Sequence, residues 1–197
     1  MRYLLILLLI SSKAICQDCN ALNEFVSFRG IKLGEHLPKE LRKYSETHLS
    51  VGDTIFTIYK KNIPPKDLEK MTSYFYFGDD FSGLMISTIP DGRIFGIRLF
   101  RYYNTEDSLT ITKNIIPSFY DSITDHLAFL FGKNYKQGKF TDALGDVLVR
   151  RWECNKIAID FVLNYGISEE FQLDISDREL YRVKKLEDYK KTPKRSY

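Results

Sequence analysis

The chain has 197 residues, 44% hydrophobic and 28% charged, with 29 Lys and Arg against 26 Asp and Glu. That composition is globular and excludes disorder through the body of the chain, while the length suits one domain or two small ones. The formal charge is only +3, which removes the main support for a nucleic-acid partner, since such proteins carry a strong basic excess.

Met1-Arg2 leads into an apolar run, Tyr3 to Ile10, that turns polar at Ser11-Ser12-Lys13. A basic start, about 7–15 apolar residues and a small-residue exit are the parts of a secretory signal. The run is shorter than the roughly 20 residues a membrane span needs, so no transmembrane segment is expected. Ala14 and Cys16 place the signal peptide over 1–16, cut before Gln17. The expected location is therefore periplasmic or secreted. Lipid anchoring competes, but Ile15 before Cys16 and Asp18 before Cys19 do not suit acylation. Loss of residues 1–16 takes Arg2 and Lys13, so 27 positive residues remain against 26 negative ones. It also leaves Cys19 and Cys154, an even pair in an exported chain, which points to a disulfide. Two separate thiols, with Cys154 a small core hydrophobe, are the alternative.

A first helix is expected over 34–46, "GEHLPKELRKYSE", where Leu37, Leu41 and Tyr44 recur at helical spacing. Strands follow at 54–60, 71–77, 83–89 and 93–103, with Pro64-Pro65 closing the first. "IPDGR" at 89–93 is a turn, with Pro90 presetting φ and Gly92 taking the left-handed position. A second helix covers 117–133, with Phe119, Ile123, Leu127, Leu130 and Phe131 on one stripe. Further strands are expected at 146–154, 157–165 and 169–176, then a charged helix at 177–191 with Leu180, Val183 and Leu186 inward.

The 146–165 hairpin specifies its own register. With Asn155-Lys156 as a two-residue turn, Cys154 faces Ile157, Trp152 faces Ile159, Arg150 faces Phe161 and Leu148 faces Leu163. Those pairs are the core side. Arg151 and Asp160 pair outward, a match worth a few tenths to ~1 kcal/mol. A slip of one residue would mix the faces. Any segment bringing Cys19 to Cys154 must lie over that end of the sheet. The fold class is α+β: antiparallel strands from two related α-β-β-β(-β) halves, 17–104 and 105–191, with a C-terminal helix and a frayed tail at 192–197. One continuous sheet and two separate sheets are both compatible with this order.

"FRGIKLGEHLPKEL" at 28–41 carries a G-h-x-h-G pattern leading into a short helix and an antiparallel sheet. It resembles the beta-lactamase-inhibitor-protein fold and the small outer-membrane lipoprotein domains of the SmpA/OmlA type. "HLAFLFGKNY" (126–135) ahead of "RRWECNKIAIDF" (150–161) is similar to the second half of many exported proteins of unknown function. The resemblance implies non-catalytic protein contact and transfers no functional residue. Two departures stand out: Glu35-His36-Leu37-Pro38 replaces the usual hydroxyl cap, and no lipobox precedes the domain.

No catalytic, cofactor-binding or metal-ligating set is expected. His36, His48 and His126 lack zinc-ligand spacing. Asp121 and Asp125 share a helix face from which His126 turns away, and Asp79-Asp80 read as a turn. No nucleophile elbow or phosphate-binding glycine pattern is present. The basic residues from Arg182 to Arg195 suit either a headgroup-binding patch or a solvated helix face. Three functions remain: an exported interaction module for an unknown protein partner, a carrier of a small apolar ligand under a curved sheet with the second helix as lid, and a carboxylate-based hydrolase.

Overall fold

The structure is a computed structural model and describes residues 18–50, 53–77, 80–102, 115–142, 145–166 and 170–191. The expected signal peptide and its cleavage point, the expected boundary between halves at 104–105, Asp79 and the 192–197 tail lie outside the described residues, as do the side chains of Phe119 and Leu186.

The first half runs α1 (Cys19–Glu24), β1 (Ser27–Phe28), β2 (Ile31–Lys32), α2 (Lys39–Arg42), β3 (Glu46–Ser50), β4 (Asp53–Tyr59), α3 (Pro65–Met71), β5 (Gly83–Thr88) and β6 (Ile94–Tyr102). The second runs α4 (Ile115–Phe131), β7 (Lys136–Asp142), β8 (Gly145–Glu153), β9 (Ile157–Gly166), β10 (Glu170–Asp177) and α5 (Arg178–Lys191). The architecture is α+β. Strands β1 and β2 form a small hairpin, and the other eight make one antiparallel sheet in the order β3-β4-β5-β6-β10-β9-β8-β7. Each half supplies a four-stranded meander, and the two meet along β6 and β10.

Alternation with period two sorts the sheet into faces. Phe56, Ile86, Ile97, Ile175, Ile159 and Trp152 form one cross-strand row, and Ile58, Leu84, Leu99, Leu173 and Phe161 form the next. All are buried in one continuous core. Over this face α4 packs Tyr120, Ile123, Leu127 and Phe131. The Tyr120 ring stacks on Phe161 at 4.7 Å between centroids, and Phe161 stacks on Phe171 at 6.0 Å. The space beneath α4 is thus filled by side chains. Gly132, at φ 87°, turns the chain out of the helix, and its carbonyl accepts the Trp152 indole N–H at 2.8 Å.

The β8–β9 hairpin has the expected register, Trp152 opposite Ile159 and Arg151 opposite Asp160. Trp152 is fully buried and Arg151 exposed. The turn closes with Cys154 N–H donating to the Ile157 carbonyl at 3.0 Å. Cys19 and Cys154 are joined as a disulfide, with Cα atoms 5.6 Å apart. Helix α1 lies over that end of the sheet: Leu22 is buried, Asp18 caps the helix and donates its N–H to the Phe131 carbonyl, and Asn23 accepts from Lys156 N–H.

Four expectations change. The first helix contracts to Lys39–Arg42, because Gly34 and Glu35 hydrogen-bond the backbone of Ile94 and His36 bridges Arg93. The strand at 71–77 is instead the end of α3 and a 3-10 turn, Thr72–Phe75; Met71 and Phe75, four apart, are both buried on the helical path. Edge strands β3 and β7 and helix α1 were not anticipated. Val183 faces solvent, 45% exposed, instead of packing inward.

At the start of β5, Gly83 allows the Phe100 ring to lie across the strand. A Cβ there would stand 2.3 Å from Phe100 Cζ and 2.7 Å from the Ile58 carbonyl oxygen. Gly83→Ala is therefore expected to lower stability by about 1–3 kcal/mol, read from urea unfolding; an unchanged midpoint would show that Phe100 moves aside freely. Cys19→Ser is expected to cost about 2–5 kcal/mol under oxidising conditions, with the same loss in the unsubstituted chain on reduction.

Candidate functional site

The other face of the sheet is built from the opposite phase of the same strands, and it is charged. Arg98 on β6, Asp174 on β10, Asp160 on β9, Arg151 on β8 and Lys136 on β7 stand directly opposite one another in register. Each aspartate is held by one arginine in a fork. Arg98 donates from Nε to Asp174 Oδ1 at 2.6 Å and from Nη2 to Oδ2 at 3.0 Å. Arg151 donates from Nε to Asp160 Oδ1 at 2.5 Å and from Nη2 to Oδ2 at 2.7 Å. Lys136 pairs with Glu153, which also lies 3.9 Å from Arg151. Two carboxylates therefore sit side by side in the middle of the row, cationic groups at its ends.

One row further along the strands the side chains shrink. Ile55, Ser87, Gly96, Ser176 and Ala158 succeed one another from β4 to β9 and lead to Glu153. Helix α5 flanks this trough. Its first turn is capped by Asp177, whose carboxylate accepts the N–H groups of Glu179 and Leu180 at 2.9 and 3.0 Å. Arg178 donates to the Cys154 carbonyl. Tyr181 leans on Phe95, 6.0 Å between centroids. The Lys184 ammonium lies 4.8 Å from the Phe95 ring and pairs with Asp53. Between helix and charge row is a half-open groove of about 720 Å³.

Burial raises the Asp174 carboxyl above the ordinary aspartate range; hydrogen bonds from Arg98 oppose the shift and the neighbouring Asp160 adds to it. Lys136 holds the Glu153 carboxyl below its usual value, and Asp160 raises the Arg151 guanidinium. Asp53 is only 8% exposed; Lys184 takes one oxygen, and Oδ1 has no hydrogen-bond partner.

The structure joins Cys19 to Cys154 and places the other singled-out residues apart. His36 bridges Arg93 at the base of β6, His48 is exposed on edge strand β3, and His126 packs edge-on against Phe77. Asp121 pairs with Arg150, Asp125 is exposed, and Asp80 pairs with Lys60. Among the described residues no three His, Cys, Asp or Glu side chains gather as a metal site would require, and no helix is long and apolar enough to cross a membrane. Arg182, Lys184 and Lys185, read from sequence as part of a basic stretch, line the groove, and Arg151 and Asp160 were already paired by the hairpin. Arg98, Asp174 and Asp53 were missed. Their only local signal is phase: each charge falls on the alternate positions of an apolar strand.

No protein-family model, no curated protein and no solved structure matches this chain.

The raised Asp174 carboxyl has a defined effect on stability. Its folded-state value lies above the ordinary 3.9 or so of an unfolded aspartate, so its contribution is complete below that range and is lost as pH rises through the raised value. Urea unfolding across a pH series should show the chain losing stability relative to Asp174→Asn as pH rises from about 4. The opposite trend would mean that the Arg98 fork outweighs burial.

Proposed function

We propose that this protein is an exported binding module that uses the open face of its eight-stranded sheet to hold a partner protein. The observation that carries the reading is the asymmetry of the sheet. One face is closed under α4 by apolar packing, while the other presents a half-open groove walled by ion pairs and by α5. Tyr181 on the helix lines the groove and is exposed, and Arg and Tyr are the residue types that anchor protein interfaces. The export signal, the near-neutral mature charge and the cystine fit a role outside the cytoplasm. The groove's charges and the filled space beneath α4 speak against an apolar ligand.

One observation favours hydrolysis: two adjacent carboxylates, one raised, in a groove. Both oxygens of Asp174 and both of Asp160 are already engaged by arginines, which leaves neither poised to exchange a proton with a substrate. Binding is the better reading.

The experiment is site-specific photo-crosslinking in the native host. A benzophenone amino acid at Gln172, on the open face beside Asp174, is expected to yield one adduct of defined mass in exported material whose N-terminus lies at or near Gln17. The same probe at Asp125, on the exposed side of α4, is expected to yield none. Adducts only from position 125, or full-length chain retained in the cytosol, would overturn the reading.

A further inference from the structure

The floor of the groove and its outer wall are chemically unlike. Ser87, Gly96, Ser176 and Ala158 bring the sheet backbone close to the surface, and a Cβ added to Gly96 would meet nothing nearer than Ser87 Cβ at 3.7 Å. From Ile55 to Ala158 the trough crosses four strand intervals, about 19 Å at roughly 4.8 Å each. That length accommodates five or six residues of extended chain at about 3.3 Å per residue. The inner wall is electrically spent, since Arg98 and Arg151 are consumed by Asp174 and Asp160. The outer wall is not. Among the described residues no carboxylate stands at ion-pair distance from Arg182 or Lys185, and Lys185 lies only over the Tyr181 ring at 5.1 Å. The residual field across the groove is therefore positive along α5.

A second, independent observation concerns the end of the trough. Asp53 is more than nine-tenths buried and lines the groove, and its Oδ1 accepts no hydrogen bond. A buried acceptor left unmatched costs about 1–3 kcal/mol, so a ligand that brings a donor to this point gains by satisfying it. A backbone N–H is such a donor. The fully ionised internal phosphates of a polyphosphate have none.

We infer that the trough takes an extended acidic segment of a partner protein, its carboxylates against Arg182 and Lys185 and a backbone N–H on Asp53. The inference rests on the binding reading above and specifies what is held. A small-residue floor lets the segment approach closely, the cations of α5 select acidic side chains, and Asp53 selects a peptide over a bare anion.

The test uses the disulfide-bonded chain and a fluorescein-labelled eight-residue peptide of alternating Glu and Ala, followed by anisotropy. The matching Gln–Ala peptide and inorganic polyphosphate serve as comparisons. The Glu peptide is expected to bind at least tenfold more tightly than the Gln peptide, with affinity falling as salt rises. Gly96→Val, which fills the floor, is expected to weaken it at least tenfold. The double substitution Arg182→Glu and Lys185→Glu, at two exposed positions that leave the fold undisturbed, is expected to abolish the preference for Glu. No binding of the Glu peptide, equal binding of the Gln peptide, or displacement by polyphosphate at equivalent charge would overturn the inference. If the peptide fails while Gln172 still crosslinks a partner, the acidic segment is wrong and the open-face reading stands; crosslinking from the α4 side alone removes both.

Discussion

The pairing of β6 with β10 is the constraint on which the rest of the molecule depends. Leu99 faces Leu173 and Ile97 faces Ile175 across this seam, and each is flanked by the apolar rows of its own meander. Separate the strands, and two four-stranded sheets would each expose an edge through the middle of the core. Shift one strand by one residue, and its charge, Arg98 or Asp174, would turn into the core while its partner stayed on the open face. A buried charge stripped of its partner costs about 3–5 kcal/mol, so the slipped register is excluded by the same alternation that fills the core.

The charged face reinforces this choice. Arg98 belongs to the first half and Asp174 to the second, and their fork spans the seam. Arg150 shows how the fold treats the one arginine in a core-facing row of β8. Its guanidinium lies 4.3 Å from the Tyr120 ring and is led outward to Asp121 and Thr124 of α4. The same contact ties the helix to the sheet. Stacking and a terminal carboxylate let a cation occupy a position that alternation assigns to an apolar side chain.

Much of this was legible wherever a single segment carries its own test. The β8–β9 hairpin fixes its faces by internal pairing, and the α4 stripe of Ile123, Leu127 and Phe131 announces a helix by spacing alone. Edge strands were harder to read. In β7, "KQGKFTD", only Phe140 is large and apolar, because an edge strand on a solvated face has little to bury. Residues 71–77 misled because Phe75 and Phe77 alternate like a strand while Met71 and Phe75 satisfy a helix. The groove was the least visible feature. Arg98 and Asp174 are 76 residues apart, and nothing local to either strand says that β6 and β10 are neighbours.

The disulfide imposes an order of events on synthesis. Cys19 and Cys154 are separated by 135 residues, so the first thiol must wait while more than two thirds of the chain is made. Its partner becomes positioned only when the turn at Asn155-Lys156 closes, since that turn holds Cys154 against Ile157. Strand β10 arrives later still, and with it the seam. The covalent ring therefore encloses the whole first meander together with α4, β7 and β8, while β9, β10 and α5 lie outside it and join the sheet by pairing alone.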